Sequence, residues 1–510
     1  MAAMFESDVI ASLNGVAMHD APGLFRAGIA ALNADYADAL LPIVRRAVKH
    51  HPRDGRLWQL LGLAARAAQI SSEAADALAR ASVLIPDDPL IAHSHARTHL
   101  EAGRPSVALF NRARQLAPDD SSVLTGRAAA QYDEGQADQA VADLEALLRQ
   151  NPLWTDGHAT IASLYAQMGM PPAAAIDAAL SLHPDAPSLH QQRIALHAQN
   201  QDHVAIEAAL TEANQRLASC QWLDEMSADA ASERGAVTLA DQLYTALGEP
   251  VSAVRAHRHA RHLLRAGRAD AAARLSENWI GRDPQGLMWP YLSLAWRIIG
   301  DPRWDWLEND SHFVGIYDVA DRLDDIEGLA ALLRTLHRAS DAPLDQSVRG
   351  GTQTDGNLLL REQPLLQQLR SVILDVVADH VAQLPPSVAG HPLLLDHRAP
   401  LRFAGSWSVR LARQGFHSDH VHSQGWISSA FYVALPDAAM GSGNAESSYD
   451  GWFSLGECRE LCPDLAPLRI IEPKVGRLVL FPSTQWHGTR PFQQGERMTV
   501  AFDIARPRQG

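Results

Sequence analysis

Five prolines recur along the first half of the chain at near-constant intervals. Pro52 lies in HPRD, Pro86 in IPDD, Pro118 in APDD, Pro152 in NPLW and Pro184 in HPDA, with spacings of 34, 32, 34 and 32 residues. Between them run Ala- and Leu-rich stretches of helical periodicity, such as VLTGRAAAQYDEGQADQAVADLEALLRQ. Proline just before a helix sacrifices no hydrogen bond, because the first amides of a helix have no partner, and it blocks extension of the preceding helix. Acidic residues after it, as in Pro118-Asp119-Asp120, suit a helix N-terminus. Gly62, Gly103, Gly126, Gly135 and Gly169 are expected where two helices pack closely. A single helix pair cannot bury its own apolar face, so such units must stack into an array.

A helix–turn–helix unit with a period near 34 resembles the tetratricopeptide repeat family, and the resemblance covers roughly residues 20 to 215. DPQGLMWPYLSLAWRIIGD, from Asp283 to Asp301, reads as one more unit, and residues 251 to 282 are helical by pattern. The helical region is predicted to run to about residue 305. Trp304 to Tyr317 is aromatic and irregular, and Asp321 to His337 again reads as a helix. The stretch APLDQSVRGGTQTDGNLL is polar and Gly-rich and cannot be a regular helix. Beyond it the pattern changes to short segments rich in β-branched and aromatic residues. These are Ser406 to Ala412, Trp426 to Leu435, Arg477 to Ser483 and Met498 to Ala505, a spacing that suggests a β-sandwich or jelly roll.

Composition narrows the function classes. The chain carries 44 basic and 59 acidic residues, a formal charge of −15, which disfavours the broad basic footprint of a nucleic-acid binder. Three cysteines, Cys220, Cys458 and Cys462, are too few for a disulfide framework and lack a second pair for a zinc site, so free thiols in a reducing compartment are expected. No run approaches the roughly 18 apolar residues of a membrane span. The N-terminal MAAMFESDVIASLNG has no basic region followed by an apolar run, so a cytoplasmic protein is expected.

The chemistry concentrates in two places, His420-Val421-His422 and the stretch WHGTRPFQQGERMT from Trp486 to Thr499. Residues i and i+2 of a strand point the same way, so His420 and His422 can face one cavity while Val421 packs behind. His487 follows the segment RLVLFPS after a short turn. Imidazoles suit iron, and a mononuclear oxygenase needs three protein ligands on one face with the other positions open. Arg497 lies ten residues after His487, with Thr499 two further on the same face. An arginine fork plus a hydroxyl is what a deep carboxylate requires.

At these residues the chain resembles the 2-oxoglutarate and Fe(II)-dependent dioxygenases, whose distal motif is a histidine, an arginine about ten residues later, and a Ser or Thr two on. It is similar to a bacterial group in which tetratricopeptide repeats precede such a domain. Arg349 to Thr354, Gly415 to His422 and Trp426 to Val433 carry that similarity, which covers roughly residues 340 to 510. The resemblance implies an all-α repeat solenoid over 1–305, a helical and irregular connector over 306–345, and a double-stranded β-helix (jelly roll) with flanking helices over 346–510. It implies Fe(II) as cofactor, 2-oxoglutarate and O2 as cosubstrates, a far carboxylate held by Arg497 and Thr499, and hydroxylation as the outcome. The concave repeat surface suggests a protein or peptide substrate.

One position departs from the family. The usual proximal pair is His-x-Asp or His-x-Glu, whereas this chain has His420-Val421-His422. Either His420, His422 and His487 form a three-histidine face, or His417-Ser418-Asp419 is the His-x-carboxylate pair, with Asp419 the alternative carboxylate ligand. The first reading is preferred because His420-Val421-His422 sits just before the WISSA strand, where the family pattern places its proximal pair. A helical adaptor with a degenerate β-domain and an oxygenase of a small metabolite are the competing functions. Plainer expectations stand beside these. Arg497 could pair with Glu496 or Asp503 on the surface, and Trp407, Trp426, Trp452 and Trp486 could be core. Arg349 to Thr354 could be a turn, and Ser428-Ser429 could be wall packing. His50, His51, His257, His259 and His262 are expected on exposed helix faces.

Overall fold

The computed structural model describes residues 6–341, 344, 347–422, 425–436, 449–492 and 494–508. The proline period becomes a helix period. Helices begin at Gly55, Pro89, Ser121, Thr155 and Pro187, three residues after each of the five prolines. The prolines therefore stand in the turn, and the capping position falls to the residue between. Asp54 accepts from the amides of Arg56 and Leu57, Asp88 from Ile91 and Asp120 from Val123. A side chain at the fourth helical residue then clips back to the proline carbonyl. Trp58 Nε1 donates to Pro52 at 3.1 Å, His158 Nε2 to Pro152 at 2.8 Å and His190 Nε2 to Pro184 at 2.7 Å.

The five glycines divide into two kinds. Gly62 and Gly126 sit where helices touch; a Cβ added to either would come within 2.5 Å of Leu78 or Phe110, respectively. Gly103, Gly135 and Gly169 instead follow helix ends at φ of +70 to +78°, the left-handed conformation that closes a helix. Their place is the turn rather than the helix contact.

The chain forms two compact units. The first lies within Met1–Leu147, Gly356–Ser371 and Pro507–Gly510. Inside it, Glu362 pairs with Arg104 at 2.8 Å, its amide donates to Ala102 O, and Arg361 pairs with Asp133 at 2.9 Å. The second lies within Leu148–Asp355 and Val372–Arg506 and holds the later repeat helices together with the sheet.

That second unit shows nine strands among the described residues: β1 (Gly315–Asp318), β2 (Val348–Gln353), β3 (Phe403–His420), β4 (Gly425–Ala434), β5 (Phe453–Leu455), β6 (Arg469–Ile471), β7 (Arg477–Pro482), β8 (His487–Thr489) and β9 (Arg497–Ala505). Their order is β1-β7-β4-β9-β3-β8-β5-β6, with β2 also on β3, and the pairings are antiparallel. The 18-residue β3 curls this sheet. Its first half pairs with β9 as far as Leu411↔Arg497, and its second half pairs with β8 at His417↔Thr489 and His420↔His487.

Three elements differ from expectation. Arg349 to Thr354 is largely strand, because its two glycines let β2 hug β3; a Cβ on Gly351 would meet the Arg410 carbonyl at 2.5 Å. The aromatic stretch before Tyr317 contains the short helix Arg303–Glu308 and leads into β1. A 20-residue helix, Pro364–Gln383, follows the Gly-rich segment. His262 is buried, not exposed, because it lies seven residues after the buried Arg255 on the inward face of its helix. Its ring meets Ser232 Oγ at 3.1 Å and Asp241 at 3.0 Å. Among the described residues no helix is long and apolar enough to cross a membrane.

The helix contact at Gly126 yields a stability test. Gly126→Leu forces the Phe110 ring aside and is expected to destabilise the chain by about 1–3 kcal/mol, read as an earlier urea unfolding transition.

Candidate functional site

The curl of β3 brings the predicted histidines together. His420, at the end of β3, faces His487, at the start of β8, across the ladder, with ring centroids 4.2 Å apart. His422 lies in the turn beyond β3, 5.0 Å from His420 and 5.1 Å from His487 by centroid. One ligand-capable atom from each of the three can be chosen so that all lie within 4.8 Å of one another. The strand therefore ends at His420, two residues before His422, so the expected i, i+2 strand geometry does not extend to it. His422 is held instead by its amide on the Ser483 carbonyl at 3.1 Å.

Each ring has its Nδ1 committed to an oxygen behind it. His420 Nδ1 donates to Ser418 O at 2.8 Å, His487 Nδ1 to Gln485 O at 3.1 Å, and His422 Nδ1 to the Asp503 carboxylate at 2.8 Å. A backbone carbonyl only accepts, so for His420 and His487 the proton sits on Nδ1 and Nε2 carries the lone pair. Fixing the far nitrogen in this way is how proteins orient imidazoles toward a metal. Burial pushes His420 down to about 3, helped by the neighbouring His422, and burial with the adjacent imidazoles holds His487 well below the usual range. Both rings are neutral at physiological pH, the form a metal needs. At His422 burial acts the same way, but the Asp503 charge and hydrogen bond outweigh it and raise its pKa.

His417 points to the same region, but its Nδ1 meets Ser347 Oγ at 3.0 Å. Asp419 is engaged elsewhere. Its two oxygens take Arg459 in a fork at 2.7 and 2.8 Å and also accept the Arg459 amide at 2.9 Å.

Arg497 and Thr499 reach the same cavity from β9. That strand alternates: Met498, Val500, Phe502 and Ile504 are fully buried on one face, while Arg497, Thr499 and Ala501 line the cavity on the other. His417, His420, His422 and His487 line it too. Arg497 is 2% exposed and packs its guanidinium 5.0 Å from the Tyr432 ring centre. Neither expected surface partner holds it, since Glu496 pairs with Arg334 and Arg410, and Asp503 with His422. Among the described residues no carboxylate pairs with Arg497, and its Nε and the Tyr432 hydroxyl lack hydrogen-bond partners. Burial lowers its pKa. Leaving a buried cation uncompensated costs on the order of several kcal/mol, which an anion in this cavity would offset.

Outside the cavity lies a cleft of about 660 Å3. Its walls include Trp407 and Gln353 from the sheet, Gln199, Arg261 and Tyr291 from the repeat helices of the same unit, and Gln201 from the turn after one of them. Arg349 hydrogen-bonds Gln201 there. Trp407 stands 5.5 Å from the His422 ring, whereas Trp426 is core, its Nε1 on Leu393 O at 2.9 Å. Trp486 is also buried, with its Nε1 on Pro290 O at 3.0 Å. Sequence reasoning placed Asp503 as a mere surface partner and Ser428 as packing; the structure joins both to His422. Ser428 Oγ donates to Asp503 at 2.6 Å. The β9 alternation, which puts Asp503 in register with Arg497, Thr499 and Ala501, was the available signal.

No curated protein matches this chain. Several solved structures are similar to parts of it. They include a MamA structure (20% identity, 31% of this chain and 95% of that one, TM-score 0.27) and YrrB, described as a tetratricopeptide protein with an unusual peptide-binding site (17%, 39% and 100%, TM-score 0.29). A Pseudomonas putida prolyl-4-hydroxylase is similar at 16% identity over 39% of this chain and 95% of its own, TM-score 0.27. Residues 405–503, from within β3 to within β9, match the family described as "Putative 2OG-Fe(II) oxygenase", so a segment of that oxygenase pattern follows a tetratricopeptide-like helical region in this chain.

Proposed function

We propose that this protein is a 2-oxoglutarate- and Fe(II)-dependent dioxygenase that hydroxylates a protein or peptide substrate. The observation that carries this reading is a single cavity lined both by three convergent imidazoles and by a buried arginine that has no carboxylate partner among the described residues. His420, His422 and His487 would hold the iron through their Nε2 atoms. Three imidazole nitrogens on one side would leave the other positions open, which suits a non-haem iron centre. Arg497 would fork the far carboxylate of 2-oxoglutarate, with the Thr499 hydroxyl adding a third hydrogen bond. Bound together, iron, 2-oxoglutarate and O2 supply an oxidant that places oxygen in a C–H bond as the cosubstrate loses CO2.

The chain's own residues do the rest. Ala430 and Phe453 wall the inner cavity, and the Tyr432 ring covers the arginine, so together they would keep water from it. Trp407 stands between the metal face and the outer cleft, where it can seat the substrate against the reacting centre. The cleft supports a substrate presented by the repeats, because Gln199, Gln201 and Tyr291 from the repeat helices and their turns form part of its wall. Side-chain amides pair well with a peptide main chain. In this reading residues 1–305 are the binding module, 306–345 the connector, and 346–510 the catalytic jelly roll. Cys220, Cys458 and Cys462 are free thiols, which fits work in the cytoplasm.

Anaerobic titration of the purified protein with Fe(II) and then 2-oxoglutarate tests the assignment. The native protein is expected to give the visible charge-transfer band of iron-chelated 2-oxoglutarate, and His487→Ala to lose Fe(II) binding and the band together. A native protein without the band would end the reading. Arg497→Gln separates the two halves of the site. It is expected to weaken 2-oxoglutarate by about 2–3 kcal/mol, roughly 30- to 150-fold, while Fe(II) affinity stays within a few-fold. Equal loss of both would mean the domain had collapsed.

A further inference from the structure

A three-histidine face carries no charge of its own, and this chain compensates from behind. We infer that Asp503 is a positioning residue that supplies the site's missing carboxylate through His422, acting on the metal across one imidazole instead of touching it. This rests on the reading of the histidine cluster as a metal face.

The geometry is specific. Asp503 Oδ1 accepts His422 Nδ1 at 2.8 Å and the Ser428 hydroxyl at 2.6 Å. Ser428 in turn meets Ser483 Oγ at 2.9 Å, and the Ser483 carbonyl accepts the His422 amide at 3.1 Å. One closed network thus fixes the ring, its backbone and its carboxylate from β4, β9 and the turn after β7. Of the three histidines, His422 alone has a carboxylate behind it; His420 and His487 rest on peptide carbonyls.

Charge balance singles out Asp503. The other carboxylates lining the cleft, Asp419 and Glu460, are held by Arg459 and by Arg261 and Arg265. Asp503 is only 9% exposed and, among the described residues, has neither arginine nor lysine as a partner. A divalent metal, a dianionic cosubstrate and the Arg497 cation leave one positive charge over. Asp503 is the anion that cancels it. A carboxylate on Nδ1 also makes the imidazole a stronger donor, as second-sphere partners of metal-bound histidines do.

The test uses the full chain and Co(II), whose visible d–d bands report ligand strength, alongside anaerobic Fe(II) titration. Asp503→Asn keeps size and a hydrogen-bond acceptor but removes the charge. It is expected to bind either metal about 10- to 100-fold more weakly and to shift the Co(II) bands. Asp503→Glu should recover part of both, and Ser428→Ala, which leaves the charge in place, should lose less than Asp503→Asn. A band shift reports on the metal–nitrogen bond, which a purely structural defect would not move. If Asp503→Asn binds Co(II) with native affinity and native bands, the inference is wrong while the metal assignment stands. If the native protein binds neither metal, the assignment itself fails and the inference falls with it.

Discussion

One strand changes partners midway, and the site exists because it does. The first half of β3 lies on β9, where Leu411 faces Arg497. Its second half lies on β8, where His420 faces His487. A flat sheet would leave these two pairings at opposite ends of a long ladder. The shift between His417 and His420, and the close approach of β2 at its glycines, bend the strand so that both ends face one cavity. Irregular register at this point is therefore the feature that joins an imidazole cluster to a buried guanidinium.

The later repeat helices brace this bend from outside, within the same compact unit. Trp486, one residue before His487, is anchored by its indole to Pro290 O. The segment between β5 and β6 is pinned by Arg297, whose guanidinium donates to the Gly456 and Ala466 carbonyls. That segment carries Arg459, which clamps Asp419 just before His420. It also carries Glu460, which pairs with Arg261 and Arg265 from the repeats; both arginines also hold Glu233. Two of the three imidazoles thus sit next to residues tied, directly or through one segment, to repeat helices. Rigid support of this kind is what a precise constellation requires.

Much of this was legible in the sequence, and the gaps have physical causes. The repeat period was readable because proline and its following acid act locally, through a missing N–H and a side-chain cap. The four strands named from composition correspond to β3, β4, β7 and β9, since each combines alternation with β-branched residues. β1 and β2 escaped notice because a four-residue strand and a Gly-rich one carry little propensity; they are strands by virtue of β7 and β3 alongside them. The convergence of His420, His422 and His487 was suggested by spacing. The partners of Asp419 and Asp503 were not, because an arginine 40 residues away and a histidine 81 residues away meet only through tertiary packing.

Those two aspartates also explain how a site of this charge remains folded. Asp419 lies next to His420 in sequence, yet its fork with Arg459 and the Arg459 amide satisfy it fully, so drawing it toward a metal would strand a guanidinium. Asp503 is satisfied instead by a hydroxyl and an imidazole N–H. Arg497, among the described residues, has no carboxylate partner, and its guanidinium sits under the Tyr432 ring with Nε unpaired. On the proposed reading, a dianionic cosubstrate would meet that uncompensated charge, so affinity for it and selectivity against neutral molecules would share one source.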